Sequence, residues 1–311
     1  MTTRPATSAP FDAVLLVSFG GPQGLDDIRP FLANVLRGRR VPPDRVEEVA
    51  RHYERFGGVS PITQLTRRQA AGLQERLDRD GPPLRVYVGM RNWHPFLADT
   101  LREMAEAGVR RAVGLILAGF RSWSSCGQYR DNVLAARREL RASGHPDVEV
   151  CYVGDWHVHD RFIEAWAARA AAALDALPAS ERGRARLVFT AHSIPLGMAG
   201  AETYREQLDA SARLVAERLG RPDWALVFQS RSGRPQDPWL EPDVCDYLRA
   251  DAAGGAPAAG ARPPVVWAAP AGGRRGGGGW GGGGGALFGP ALPPPAARGS
   301  SALSDRTRVG V

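Results

Sequence analysis

The chain has 311 residues, 43% of them apolar and 23% charged, a globular composition that is long enough for two domains. The net charge is +7, but six arginines against one acid follow Ala252, so residues 1–251 carry only +2 and a nucleic-acid binder is not indicated. The sequence has no secretory signal and no apolar run of about eighteen residues, so we expect a cytoplasmic protein without a transmembrane segment.

Six short apolar runs, several rich in valine, predict β-strands, because they are too short for buried helices. They cover residues 13–19, 84–89, 112–118, 148–153, 186–191 and 225–230. Segments of helical period lie between them, as at 61–77, where Ser60 suits the N-cap, and at 201–219, which Gly220 follows. Strands that alternate with helices indicate parallel sheets covered on both faces.

The alternation divides near residue 150, which predicts two doubly wound, Rossmann-like α/β domains facing each other across a cleft. We place the first domain at 10–150 and the second, which is incomplete, at 151–251. Residues 252–311 are rich in glycine and proline and have no period. Such a segment buries too little apolar surface to offset the entropy of ordering, so we expect a disordered tail.

One histidine follows a predicted strand of the second domain. In LVFTAHSIPLG, residues 187–197, an apolar run leads into a polar turn that contains His192. Because the carboxyl ends of strands in open α/β sheets line the ligand crevice, His192 is a candidate for chemistry. The residues alone leave an alternative open, since a histidine here can also cap the next helix or hydrogen-bond the turn.

Three further segments can face a ligand, although each also has a plain structural interpretation. Glycines in SFGGPQG (18–24) permit a tight turn and close backbone approach, and HYERFGGVSPI (52–62) precedes a capped helix. The polar stretch GFRSWSSCGQYRDNV (119–133) carries Trp123 and Tyr129. Aromatic rings there can lie against a flat ring system or pack between elements.

Across about residues 11–250 the chain resembles the ferrochelatase family, in the actinobacterial form that is similar to coproporphyrin III ferrochelatases. The motifs occur in the family's order and spacing: LLVSFGGP (15–22), RGRRVP (37–42), HYERFGGVSPI (52–62), GMRNWHPF (89–96), SSCGQY (124–129), FTAHSIP (189–195) and DPWLEPDV (237–244). The resemblance implies two chelatase-like domains and insertion of Fe²⁺ into a porphyrin during heme biosynthesis, with no cofactor required beyond the substrate iron.

The resemblance also implies residue roles. His192 matches the metal-binding and proton-handling histidine, Ser60 and Tyr129 match porphyrin contacts, and Tyr53 lies beside that surface. Phe19 stands where some members carry a tyrosine that reaches the iron, and phenylalanine offers no oxygen. Imidazole suits the reaction because its usual pKa of about 6.5 leaves it neutral, basic and able to bind Fe²⁺ at pH 7.

Part of the family's pattern is absent after Asp251. Members continue into a motif of the form GFxxDHxEVxxDxD, whose glutamate faces the histidine across the porphyrin. In this sequence the only acidic residue after Asp251 is Asp305. We therefore expect this chain to insert iron poorly or not at all, and a shift of reading frame near residue 250 would explain the change. Cys126 matches one ligand of the [2Fe-2S] centre in cluster-bearing relatives, but no cysteine follows Cys245, so we expect reduced thiols and no cluster.

Two other functions are weighed beside the enzyme. A non-catalytic porphyrin or heme binder would keep Ser60 and Tyr129 without metal insertion, and a tail that binds RNA would rest on one Arg pair at 274–275. The His-x-His pair in WHVHD (156–160) lacks a third ligand nearby, which favours a solvated turn over a metal site. We expect porphyrin and ferrous iron as partners, no nucleic acid, and a monomer.

Overall fold

A computed structural model of the chain describes residues 10–38, 41–183, 185–231, 236–253 and 265–268. These residues form two compact units. The first contains the chain up to residue 118 together with 124–154, and the second contains 119–123 and the chain from 155 onward. Within the described residues, no helix has the length and apolar character needed to cross a membrane.

The described part of the first unit contains a four-stranded parallel sheet in the order β2-β1-β3-β4. Its strands are β1 (Ala13–Ser18), β2 (Arg85–Met90), β3 (Arg111–Ile116) and β4 (Glu149–Tyr152). The helices are α1 (Ile28–Val35), α2 (Pro43–Glu54), α3 (Pro61–Asp80), α4 (Leu97–Glu106) and α5 (Gln128–Ala142). A π-helical turn, Trp123–Gly127, precedes α5.

Strand β1 is buried along its whole length because helices cover both faces of this sheet. Ala13, Leu15 and Val17 pack into the cluster that contains α4 and α5, whereas Val14 and Leu16 pack on the opposite face with α3. This is the two-residue period of a strand. The chain leaves β1 toward β2 and returns on the other side to β3, so the carboxyl end of β1 is a topological switch point.

The described part of the second unit contains a three-stranded parallel sheet in the order β6-β5-β7. The strands are β5 (Arg186–His192), β6 (Trp224–Gln229) and β7 (Val265–Ala268), and the helices are α6 (Asp160–Asp175), α7 (Ala179–Arg182), α8 (Ala201–Arg218) and α9 (Val244–Ala253). Leu187 and Phe189 of β5 pack with α6 and α8, and Val188 packs on the other face with α9.

The α/β class predicted from the sequence is confirmed, and each of the six predicted strands is present with ends within two residues of the prediction. Helix α3 begins at Pro61 as expected, but the Ser60 side chain makes no capping hydrogen bond. The main difference is β7, which lies inside the segment expected to be disordered and pairs with β5. The rest of that segment lies outside the described residues, apart from 252–253, which end α9.

Candidate active site

His192 is the last residue of the central strand of the second unit. It pairs in register with Gln229, and β5 is flanked by β6 on one side and β7 on the other. The chain passes from β5 to β6 and then crosses to β7, so the strand order reverses at β5. His192 therefore lies at the carboxyl end of a strand at a topological switch point, where open α/β sheets bind ligands.

The turn after His192 is fastened to the segment around Trp239 and Leu240. The Ser193 hydroxyl donates to the Leu240 carbonyl at 2.8 Å, and the Leu240 N–H donates to the Ile194 carbonyl at 3.0 Å. Ser193 is 3% exposed, so this hydrogen bond is shielded from water. The DPWLEPDV motif thus has a structural use, because it braces the turn that presents the histidine.

Burial keeps the His192 side chain neutral. The residue is partly accessible to solvent, but enough of it is enclosed that burial lowers its pKa from 6.5 to about 4. A neutral imidazole has a free nitrogen lone pair, which can accept a proton or bind a metal ion. At pH 7 His192 is therefore in the form that either task requires.

This lowered pKa predicts a pH-dependent stability. Because the folded-state pKa lies below the unfolded value, the unfolded chain binds the proton first, and stability is full above pH 6.5 and is lost as the pH falls toward about 4. The loss should reach up to about 3 kcal/mol, at 1.36 kcal/mol per pKa unit. Denaturant unfolding of the wild type and His192→Gln at pH 7 and pH 4.5 measures it.

The His192→Gln variant should lose less stability between these two pH values than the wild type does. His145→Gln is the matched histidine replacement in the first unit, where the His145 Nε2 lies 3.4 Å from the Glu106 Oε1. An equal loss in wild type and His192→Gln would show that His192 does not titrate in this way.

Ser60 lies against the glycine turn that follows β1 in the first unit. Its N–H donates to the Pro22 carbonyl at 2.7 Å. A Cβ added at Gly21 would lie 2.5 Å from the Ser60 Cβ, so only glycine permits this approach. Since the Ser60 side chain does not cap α3, it is not committed to that helix and can serve a ligand.

Tyr53 and Phe19 belong to an aromatic cluster around the buried Phe31. The Phe31 ring centroid lies 5.7 Å from that of Tyr53 and 6.1 Å from that of Phe19, both with edge-to-face geometry. Both outer side chains are partly exposed. The Phe31 ring therefore contacts both Phe19, which follows β1, and Tyr53, which lies near the end of α2.

Tyr129 is placed differently from the other sequence-predicted residues. It is 2% exposed and packs in the core cluster of the first unit, with the Arg91 guanidinium 5.6 Å from its ring centroid. Burial raises the pKa of its phenol, so the hydroxyl stays protonated. A side chain enclosed to this degree serves chiefly the packing of the core.

The remaining candidates from the sequence are the two histidines of WHVHD and the cysteines. In WHVHD, His159 caps α6, since its Nδ1 accepts from the Arg161 N–H at 3.2 Å, and the His157 carbonyl accepts from the Ser211 hydroxyl at 2.8 Å. All three cysteines are free thiols. Within the part of the chain that the structure describes, no group of three or more His, Cys, Asp or Glu side chains could hold a metal ion.

Sequence reasoning missed the polar contacts that hold residues 119–123 in the second unit. The Arg121 N–H donates to the Gln207 Oε1 at 2.7 Å, and the Arg121 guanidinium pairs with Asp155 at 2.9 Å. The Trp123 N–H donates to the Ala199 carbonyl at 3.0 Å, in the loop that follows His192. These partners are far apart in the chain, so no local pattern could have indicated them.

The chain also matches known proteins in sequence. Residues 11–264 match the family model described as Ferrochelatase, so the match continues past the limit of about residue 250 inferred from motifs. The ferrochelatase of Rhodopirellula baltica is 50% identical over 239 residues, 77% of this chain and 67% of the relative. The coproporphyrin III ferrochelatases of Mycobacteroides abscessus and Nocardia farcinica are 46% and 47% identical, over 77% and 78% of this chain and 69% and 70% of theirs.

This is an α/β protein with parallel, doubly wound sheets, and its sequence matches are enzymes that insert metal into tetrapyrroles. The chain belongs to the ferrochelatase family.

Proposed function

We propose that this chain binds coproporphyrin III in preference to protoporphyrin IX and that His192 handles the incoming ferrous iron. The observation that carries the proposal is the placement of a neutral imidazole at the end of β5, held by a braced turn. The substrate preference is supported by the names of several relatives with 42–47% identity, which are coproporphyrin III ferrochelatases.

The proposed reaction exchanges protons for a metal ion. Fe²⁺ replaces the two N–H protons of the porphyrin, so one ferrous ion enters and two protons leave. A neutral His192 can accept one proton at its free nitrogen or offer that nitrogen to the iron while the iron loses water. It cannot do both at once. If His192 accepts a proton, the other proton passes to another base or to solvent, and if it binds the iron, both protons do.

We further propose that Ser60, Tyr53 and Tyr129 contact the porphyrin. A porphyrin presents a large apolar face, which suits the partly exposed Tyr53 ring that packs against Phe31. The uncommitted Ser60 hydroxyl can supply a hydrogen bond to a polar group of the ligand. For Tyr129, the protonated hydroxyl is the part that can take a role, since the ring is packed in the core.

A porphyrin titration tests these contacts. Ser60→Ala combined with Tyr129→Phe should weaken coproporphyrin III binding about tenfold, because each lost hydrogen bond is worth roughly 0.5–1.5 kcal/mol. The shift of the Soret band on titration measures the affinity of the 311-residue chain, with protoporphyrin IX compared in parallel and expected to bind more weakly.

The matched control removes one serine hydroxyl and one tyrosine hydroxyl at positions outside the proposed site. Ser180 lies on an exposed surface of α7, and the Tyr152 hydroxyl has no hydrogen-bond partner among the described residues, so Ser180→Ala with Tyr152→Phe should leave the affinity unchanged. An unchanged affinity in the Ser60 and Tyr129 double variant would remove both residues from the proposed site.

A second candidate function is a porphyrin or heme binder that does not insert metal. It is favoured by one observation, the presence of a single acidic residue, Asp305, after Asp251. The two functions differ in a simple way: both predict coproporphyrin binding, but only the enzyme predicts that adding Fe²⁺ under anaerobic conditions converts the bound porphyrin to its iron complex.

A further inference from the structure

The hydroxyl of Tyr204 reaches back from α8 to the strand that carries the histidine. Tyr204 lies in the first turns of α8, twelve residues after His192, and its hydroxyl donates to the His192 carbonyl oxygen at 3.2 Å. Burial raises the pKa of this phenol, so the hydroxyl stays protonated and remains a donor at neutral pH. The contact closes the loop between the end of β5 and the start of α8.

The Tyr204 ring is itself held in place. Its centroid lies 6.2 Å from that of Phe120, with the two planes at 88°, and the ring packs against the cluster that contains Ala191 and Phe228. The Tyr204 N–H donates to the Gly200 carbonyl at 2.9 Å. A side chain fixed in this way delivers its hydroxyl to one position, and the His192 carbonyl is at that position.

The peptide group between His192 and Ser193 is consequently held at both ends. The Tyr204 hydroxyl donates to the His192 carbonyl oxygen, and the Ser193 N–H donates to the Gln229 carbonyl at 2.7 Å. Rotation of this peptide would change the ψ angle of His192 and the entry of the turn that Leu240 braces. Two hydrogen bonds on opposite sides of one peptide oppose that rotation more strongly than either does alone.

We propose that Tyr204 is a positioning residue for His192: by holding the His192–Ser193 peptide, it fixes the direction in which the imidazole leaves the end of β5. This inference rests on the proposed function, in which that imidazole handles iron. Tyr204 touches neither iron nor porphyrin in this role and acts only through the backbone of His192.

Tyr204→Phe tests the proposal because it removes the hydroxyl and keeps the ring that packs on Phe120. In the 311-residue chain labelled with ¹⁵N at histidine, the His192 ring signals, assigned with His192→Ala, should shift or broaden. The signals of His157 and His145 should stay in place. Tyr152→Phe is the matched control, since the Tyr152 hydroxyl has no hydrogen-bond partner among the described residues, and it should leave the His192 signals unchanged.

Kinetics supply the second measurement. Tyr204→Phe should lower kcat for iron insertion about two- to tenfold, the range expected for one hydrogen bond, while the KM for coproporphyrin III stays the same. Unchanged His192 signals would overturn the positioning role whatever the rate. A wild-type chain that binds no coproporphyrin III would instead count against the proposed function, and the His192 signals would still decide the role of Tyr204.

Discussion

Replacement of residues 269–311 by the corresponding segment of the Mycobacteroides abscessus relative is expected to raise the rate of iron insertion by about 10²–10⁴, the usual contribution of one positioned acid or base. The resemblance to the family implies a glutamate that faces the histidine, and the 311-residue chain has only Asp305 in that region. A junction after Ala268 keeps β7 paired with β5 and so preserves the sheet that carries His192. Initial rates of the Soret shift under anaerobic Fe²⁺ measure the gain.

The control for this grafted chain carries the same segment with its motif glutamate replaced by glutamine. That version should fold equally well but remain near the rate of the 311-residue chain. If the glutamine version is as fast as the glutamate version, the gain comes from other parts of the grafted segment, and the account of a missing carboxylate is wrong.

His192→Ala in the grafted chain is expected to lower the rate by a similar factor, about 10²–10⁴. Alanine removes the imidazole at the end of β5, which can accept a proton or bind the metal. His145→Ala is the control, since His145 lies in the first unit and pairs with Glu106 at the surface. The same anaerobic assay measures both variants.

The strands could be predicted from the sequence because a strand buried on both faces consists of a short run of apolar residues. Strand β1 is apolar at five of its six positions, and the structure buries both of its faces. The same reasoning placed His192 at the end of β5, since an apolar run that gives way to a polar turn marks the end of a buried strand. These features depend on neighbours in the chain.

Other features depend on partners that are distant in sequence, and there the prediction failed. The short run at Val265–Ala268 is indistinguishable from its glycine-rich surroundings until it pairs with β5, yet this pairing is what makes β5 a switch point. Ser60 stands at the expected N-cap position, but it packs on Gly21 instead of capping α3. The hydrogen bond from Tyr204 to His192 links a helix to a strand, and no local sequence pattern indicates it.

Tyr129 shows a further limit of sequence reasoning. A tyrosine in a polar stretch after a buried strand can face a ligand or a core, and the choice depends on the helix that follows. Here α5 turns Tyr129 inward with Val133 and Leu140, the residues that share its helical face. The sequence shows the helical periodicity of α5, but it does not show which face of the helix packs against the sheet.

The most direct test of the central claim, that His192 performs the metal step, is to measure porphyrin binding and iron insertion together in the grafted chain with histidine or alanine at position 192. The account predicts that the alanine variant binds coproporphyrin III with unchanged affinity and yet shows almost no anaerobic insertion of Fe²⁺. An alanine variant that inserts iron at a rate close to that of the histidine form would contradict it.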